Sequence, residues 1–171
     1  IVEIDNYDNP TEAINLCDGI FIGGGNSFLL LDKILKYNIS EEITKKVNSG
    51  TPFLGTSAGS NVCGITIGTT NDMPIIHPST FNSLNLVPFN INPHYLDPIK
   101  DSTHMGESRE TRIKEFHQFN NQIVIGLREG SYLEVDENNI ILRGSKTARI
   151  FKKDQDSFEI EPKFNLNKLL N

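Results

Sequence analysis

Two cysteines, Cys17 and Cys63, are all that a chain of 171 residues carries. Two thiols cannot build a disulfide framework or a four-ligand zinc site. No apolar run approaches the roughly 18 residues that a membrane span needs, and no signal-peptide pattern opens the chain. The expectation is a cytoplasmic protein with no membrane partner. Positive charge is also in short supply: 16 Lys+Arg against 22 Asp+Glu leave a net charge of -6. Without a basic run, nucleic acid is not expected as a partner. Internal repeats and low-complexity tracts are absent as well. What remains is an ordinary globular balance, 37% hydrophobic and 22% charged, which excludes a disordered or fibrous chain. The length, at about 150 residues per domain, suggests one domain over 1–171, large enough for a core without staples.

Short apolar runs alternate with helix-like segments over the first two-thirds. Ile1 to Ile4 reads as a strand remnant. Asn9-Pro10 opens a helix through Leu16, with the proline in its first turn. Gly19 to Ile22 reads as a buried strand leading into Gly23-Gly24-Gly25-Asn26, and Ser27 to Tyr37 has helical periodicity. Ser40 is a candidate N-cap for the helix containing Ile43 and Val47. Pro52 to Gly55 is the next short strand. Asn71 to Ser83 is polar and reads as a surface excursion. Leu86 to Ile91 reads as a strand stopped by Asn92-Pro93, Glu107 to Phe119 as an amphipathic helix, and Ile123 to Leu127 as a buried strand. Tyr132–Val135, Asn139–Leu142 and Ala148–Phe151 read as short strands joined by turns. This order predicts an α/β fold, mostly parallel, with antiparallel C-terminal strands.

Gly55-Thr56-Ser57-Ala58-Gly59 is the strongest local feature. It follows a strand and precedes a helix expected over Ala58 to Ile65, the context that makes G-x-S-x-G a nucleophile elbow. The glycines permit the sharp turn, the Ser57 hydroxyl stands above the strand end, and the Ala58 amide points toward any oxyanion formed there. The Gly23–Gly25 loop also joins a strand to a helix. It lacks the spacing of a nucleotide-binding loop and offers a second oxyanion amide, from Gly25 or, alternatively, Gly24. A serine nucleophile needs a base, and four histidines are available. His117 lies late on a helix, facing solvent or the helix end; His77 sits in the polar excursion; His104 is in a loop near Arg109; His94 directly follows a strand. For the acid that orients the imidazole, Glu129 follows a buried strand, with Asp72, Asp97 and Glu107 as competitors. The chain order Ser, His, Glu resembles the Cys-His-Glu order of class I glutamine amidotransferase-like domains, with serine in place of cysteine. Cys63, on the helix after the elbow, reads as a packed core thiol.

A family resemblance now becomes specific. The segments Gly23–Asn26, Gly55–Asn61, Thr69–Pro74, Asn90–His94, His104–Glu110 and Gly126–Gly130 occur in the order of the peptidase E/cyanophycinase family of serine peptidases, which this chain resembles over most of its length. The resemblance implies one catalytic domain with a doubly wound sheet. It implies a dipeptidase that releases an N-terminal aspartate from Asp-X, without metal or organic cofactor. It puts the nucleophile on Ser57, the base on His94 and the orienting acid on Glu129. Arg109 suits the substrate carboxylate, since a guanidinium grips it with two parallel bonds; His104 would assist, and Asp72 or Glu107 would hold the ammonium. The partner is then a small acidic dipeptide; a homodimer stays open. Two rivals remain: a cyanophycinase-like β-aspartyl peptidase, and an inactive ligand-binding domain.

The chain begins at Ile1, whereas the family's sheet begins with a further strand–helix–strand portion. The expectation is a truncated N-terminal part. At roughly 25 cal/mol per Å² of buried apolar surface, losing such a portion matters to a domain stable by only about 5–15 kcal/mol. Either a front segment precedes Ile1, or another copy covers the gap, or the protein is compromised.

Overall fold

The computed structural model describes residues 2–98, 106–136 and 139–170. They form two compact units, the first ending at Val87 and the second beginning at Pro88.

The first unit contains α1 (Pro10–Leu16), β1 (Ile20–Ile22), α2 (Ser27–Lys36), α3 (Ser40–Asn48), β2 (Phe53–Gly55) and α4 (Ala58–Cys63). Asn9 caps α1 by accepting from the Glu12 amide, and Pro10 follows where an amide would lack a helical partner. Asn26 caps α2 the same way, accepting from the amides of Phe28 and Leu29. Ser40 does not cap α3. It is the first helical residue, and the cap position falls on Ile39 with no side-chain bond. Burial of Ile39 and Ile43, 3% and 2% exposed, holds that helix start instead. Ile4–Asn6 forms a 3₁₀ turn where a strand remnant was expected.

β1 and β2 pair in parallel, Ile20 opposite Phe53 and Ile22 opposite Gly55. Parallel neighbours need a long crossover, which α2 and α3 supply. Beneath them lie Leu31, Ile34, Ile43, Val62 and Ile67, each worth about 1.5–3 kcal/mol of burial. The polar stretch 71–83 contains no helix or strand, only a bridge from Asn82 to Thr66.

The second unit contains β3 (Asn90–Pro93), α5 (Arg109–Phe119), β4 (Val124–Leu127), β5 (Ser131–Val135), β6 (Ile140–Gly144), β7 (Ala148–Phe151) and β8 (Phe158–Ile160). Its main sheet runs β3-β4-β7-β8, the first pair parallel and the others antiparallel, while β5 and β6 form an antiparallel hairpin. The fold is therefore α/β with both parallel and antiparallel pairing. The strand expected over Leu86–Ile91 starts only at Asn90 and runs through Pro93. The amides of Leu86 and Val87 donate to the Cys63 carbonyl instead, which binds them to the end of α4. β8 went unseen because Phe158-Glu159-Ile160 is too short to show alternation. Ser108 caps α5 by accepting from the Thr111 amide, and the helix lays Ile113 and Phe116 against Tyr95, Val124 and Phe151. Among the described residues no helix is long and apolar enough to cross a membrane.

Candidate active site

The elbow is shaped by backbone sterics. The Thr56 amide donates to the Ile22 carbonyl at 3.0 Å, carrying the β1–β2 pairing one residue past β2. Ser57 then turns the chain at φ 53°, ψ -115°, a conformation that residues with a Cβ adopt only when their surroundings impose it. α4 begins at once with Ala58, 1% exposed. The turn passes so close to β1 that a Cβ on Gly59 would stand 2.0 Å from the Ile22 carbonyl oxygen, and one on Gly55 2.7 Å from the Gly59 oxygen. The Gly59 amide donates to the Gly23 carbonyl at 3.1 Å. The same approach brings Gly24 alongside the nucleophile candidate: a Cβ there would lie 3.3 Å from Ser57 Cβ and 3.6 Å from its Oγ. Gly25 takes φ 141°, a value only glycine accepts readily. Cys63 is buried as expected; its thiol donates to the Gly59 carbonyl, and burial pushes it up to about 12.

A polar network stands under the elbow. Asp72 Oδ2 accepts from both the amide and the hydroxyl of Ser27, at 2.7 and 2.6 Å. Asn61, on α4, donates from Nδ2 to Ser27 Oγ at 2.8 Å and to Thr70 Oγ1 at 3.2 Å. Asn26 Nδ2 donates to the Met73 carbonyl at 2.8 Å. Ser27 and Asn61 are buried, so leaving these groups without partners would cost about 1–3 kcal/mol each. Asp72 thus fixes the start of α2 with one of its oxygens. Asn61 was given no role from the sequence, although it closes the Gly55–Asn61 segment that carries the family resemblance.

The second unit holds the imidazole. His94 follows β3 at φ 53°, and its Nδ1 bonds Glu129 Oε1. One residue on, the Tyr95 amide donates to the Leu127 carbonyl at 3.0 Å, so the chain flips out at His94 and returns to β4 immediately. Tyr95 is 2% exposed and packs its ring close to β4, where a Cβ on Gly126 would come within 2.7 Å of it. Burial pushes its phenol up to about 12.

Beside Glu129, Arg128 grips two carboxylates at once. It bonds Asp97 through Nε at 3.0 Å and Nη2 at 2.7 Å, and Glu159 through Nη1 at 2.8 Å and Nη2 at 2.9 Å. Its Nη1 also donates to the carbonyl and hydroxyl of Thr147. The guanidinium holds both carboxyls below the usual range, chiefly by hydrogen bonding. Arg128 was not among the residues the sequence singled out for a role.

Of the four acids weighed against one another, Glu129 is the one bonded to His94. Asp97 is bound to Arg128, Asp72 to Ser27, and Glu107 lies 3.8 Å from Arg112. His117, expected toward solvent or the helix end, is buried, its Nε2 donating to the Gln122 carbonyl at 2.9 Å. Arg109 is the half-buried first residue of α5. His104 lies outside the described residues. The serine elbow belongs to the first unit and the imidazole–carboxylate pair to the second. Among the described residues no group of three or more His, Cys, Asp or Glu could hold a metal ion.

Known proteins resemble this chain closely. A family model described as peptidase family S51 matches residues 1–143. A Streptomyces coelicolor protein named "Peptidase E" is 44% identical over 162 residues, covering 95% of this chain and 67% of its own length. A Drosophila melanogaster protein named "Probable alpha-aspartyl dipeptidase" is 44% identical over 160 residues, 93% of this chain and 67% of its own. A Listeria monocytogenes crystal structure described as a "Putative Peptidase E Protein" superposes with a TM-score of 0.63 at 19% identity, over 85% of this chain and 69% of that one. At that identity the likeness speaks for the fold alone.

Proposed function

The chain belongs to peptidase family S51 and is a serine-type peptidase, and on that footing we propose that it hydrolyses Asp-X dipeptides through Ser57, His94 and Glu129. The observation that carries this reading is the bond from His94 Nδ1 to Glu129. A carboxylate accepts and cannot donate, so it holds the imidazole proton on Nδ1 and makes Nε2 the basic nitrogen. A hydroxyl nucleophile requires such a base, and of the two hydroxyls in the elbow, on Thr56 and Ser57, that of Ser57 stands at the strained residue. The named relatives add the substrate class.

In this mechanism Ser57 Oγ attacks the carbonyl carbon of the aspartyl residue while His94 Nε2 takes the hydroxyl proton. The tetrahedral oxyanion lies toward the Ala58 amide and that of Gly25, with Gly24 the alternative donor. One such donor is worth about 2.7–4 kcal/mol. His94 then protonates the leaving amine, the C–N bond breaks, and an aspartyl ester remains on Ser57. Water, deprotonated by the same nitrogen, hydrolyses that ester and regenerates the enzyme. Glu129 keeps the ring oriented and stabilises its charged form. Arg109 receives the substrate carboxylate with His104 beside it, and Asp72 offers its second oxygen to the ammonium. The reading includes one doubly wound, glutamine amidotransferase-like catalytic domain acting in the cytoplasm.

The test compares release of aspartate from Asp-Leu with hydrolysis of β-Asp-Arg, alongside labelling by a fluorophosphonate probe. Asp-Leu cleavage and labelling, both lost in Ser57→Ala with a fall in kcat on the order of 10⁶-fold, are expected. Preference for β-Asp-Arg would replace the substrate class with a β-aspartyl linkage. Failure of the protein to label would replace the enzyme with a binding domain. Undiminished Asp-Leu cleavage in Arg109→Ala would remove that residue from the site.

A further inference from the structure

We propose that Arg128 is a positioning residue for the His94–Glu129 pair, clamping the segment that carries the imidazole to the strand end that carries the carboxylate. The proposal rests on the reading of His94 as the base.

The pair cannot hold itself in place. The His94 and Glu129 side chains are 51% and 75% exposed, and an exposed ion pair contributes little against the freedom of its own side chains. The two backbone segments beneath them set where each side chain starts and so bear on their mutual geometry. Glu129 directly follows Arg128. Asp97 lies three residues beyond His94, with Tyr95 between. Arg128, only 17% exposed, spans these segments with two bonds to Asp97 and stacks 5.3 Å from the centre of the Tyr95 ring. Its bonds to Glu159 and Thr147 anchor the same guanidinium to β8 and to the turn before β7. Arg149 reinforces the cluster, 3.6 Å from both Asp97 and Glu159 and 3.4 Å from Glu110. A planar fork can hold two carboxylates and a ring face together; an ammonium cannot. Arg128 touches neither the imidazole nor the substrate in this scheme and acts only through the geometry of His94 and Glu129.

Asp97→Ala and Arg128→Lys test it in the full chain. Asp97→Ala cuts the link toward His94 and leaves Arg128 on Glu159 and Thr147, so it preserves the sheet anchor. Both variants should lower kcat for Asp-Leu by about 10²-fold, the size expected for a misplacement of about 1 Å, with KM little changed. A readout independent of activity is the imidazole ¹⁵N spectrum of His94, assigned by its loss in His94→Gln. The wild-type ring should be the Nδ1–H tautomer, and both variants should shift it toward a tautomer mixture. A lowered melting temperature with tautomer and kcat unchanged would make the cluster merely structural and overturn the proposal. If the wild-type protein cleaves no aspartyl dipeptide, the dipeptidase reading falls, and the tautomer comparison still decides whether Arg128 positions His94.

Discussion

Ser57 and His94 share a left-handed backbone angle, φ 53° at both, and little else about how they are held. The serine is fixed by repulsion. Two glycines let backbone pass backbone where a single Cβ would stand 2.0 or 2.7 Å from the nearest atom. The histidine is fixed by attraction, through a bonded carboxylate and, beyond it, a guanidinium shared between two acids. Steric confinement is short-ranged and insensitive to pH or salt. A charge cluster that is partly exposed responds to both. The two units should therefore fail under different insults.

The largest effect should come from adding one methyl group to the elbow. In Gly59→Ala the new Cβ meets the Ile22 carbonyl, which is strand backbone and cannot swing aside. The cost should reach about 4 kcal/mol or more, a large part of a typical domain's stability. Urea denaturation should show it as a shifted midpoint, with fluorophosphonate labelling of Ser57 lost. A stable, labelled Gly59→Ala protein would mean that the elbow is not sterically determined.

In the other unit, Glu129→Gln keeps the size of the side chain and removes its charge. The amide can turn its NH₂ toward Nδ1 and favour the Nε2–H tautomer, which cannot act as a base. A fall in kcat of about 10²-fold or more is expected, with the urea midpoint nearly unchanged because the pair is exposed. Equal damage to stability and rate would erase the distinction between the two sites.

Acid should separate the units further. Arg128 holds the Asp97 and Glu159 carboxyls below their ordinary values. The native state therefore binds these protons more weakly than the unfolded chain does. Their contribution is in place above the ordinary carboxylate range, near pH 4, and disappears as pH falls through the lowered native values. Urea midpoints measured from pH 5 down to pH 3 should drop in the wild-type protein and drop less in Arg128→Met, which starts lower at pH 5. Parallel slopes in the two proteins would show that the cluster has no part in acid sensitivity.

How each half was legible follows from the same contrast. Close backbone approach demands glycine at fixed offsets from the serine, so the elbow is written locally as Gly55-Thr56-Ser57-Ala58-Gly59. The helices that follow Asn9, Asn26 and Ser108 were legible from local periodicity, but of these three only Asn9 was read as a helix start; the caps at Asn26 and Ser108 came from the structure. Ser40 misled because a hydroxyl before a helix is only a tendency, and burial of Ile39 and Ile43 outweighed it. The Arg128 cluster joins residues 97, 147 and 159 to an arginine up to 31 positions from each of them, and no spacing rule connects them. Asp97 could be weighed as a rival to Glu129 but not assigned to a neighbouring arginine. Nor did any pattern reveal that Asp72 and Asn61 converge on Ser27, because that network depends on how a long polar loop returns to α2.

The smallest expected effect compares two ion pairs that look identical in sequence. Glu41–Lys45 on α3 and Glu110–Lys114 on α5 are both i,i+4 pairs with the acid first, at 3.1 and 2.9 Å. Sequence spacing gives each about 0.2–0.5 kcal/mol. Their surroundings differ: the Glu41 side chain is 82% exposed, whereas that of Glu110 is 18% exposed and lies 3.4 Å from Arg149. Removing Glu110 strips Arg149 of one of its three acids, whereas removing Glu41 leaves Lys45 in water. Glu41→Ala should shift stability by no more than about 0.5 kcal/mol, and Glu110→Ala by about 1 kcal/mol, since bonds to charged groups away from water are worth more. The difference should shrink in 1 M salt less than the Glu41 effect itself, because a charge shielded by protein is screened less than one on an open helix face. Equal values for the two substitutions would place Glu110 outside the charge cluster and reduce the attraction holding the imidazole to Arg128 and its two acids.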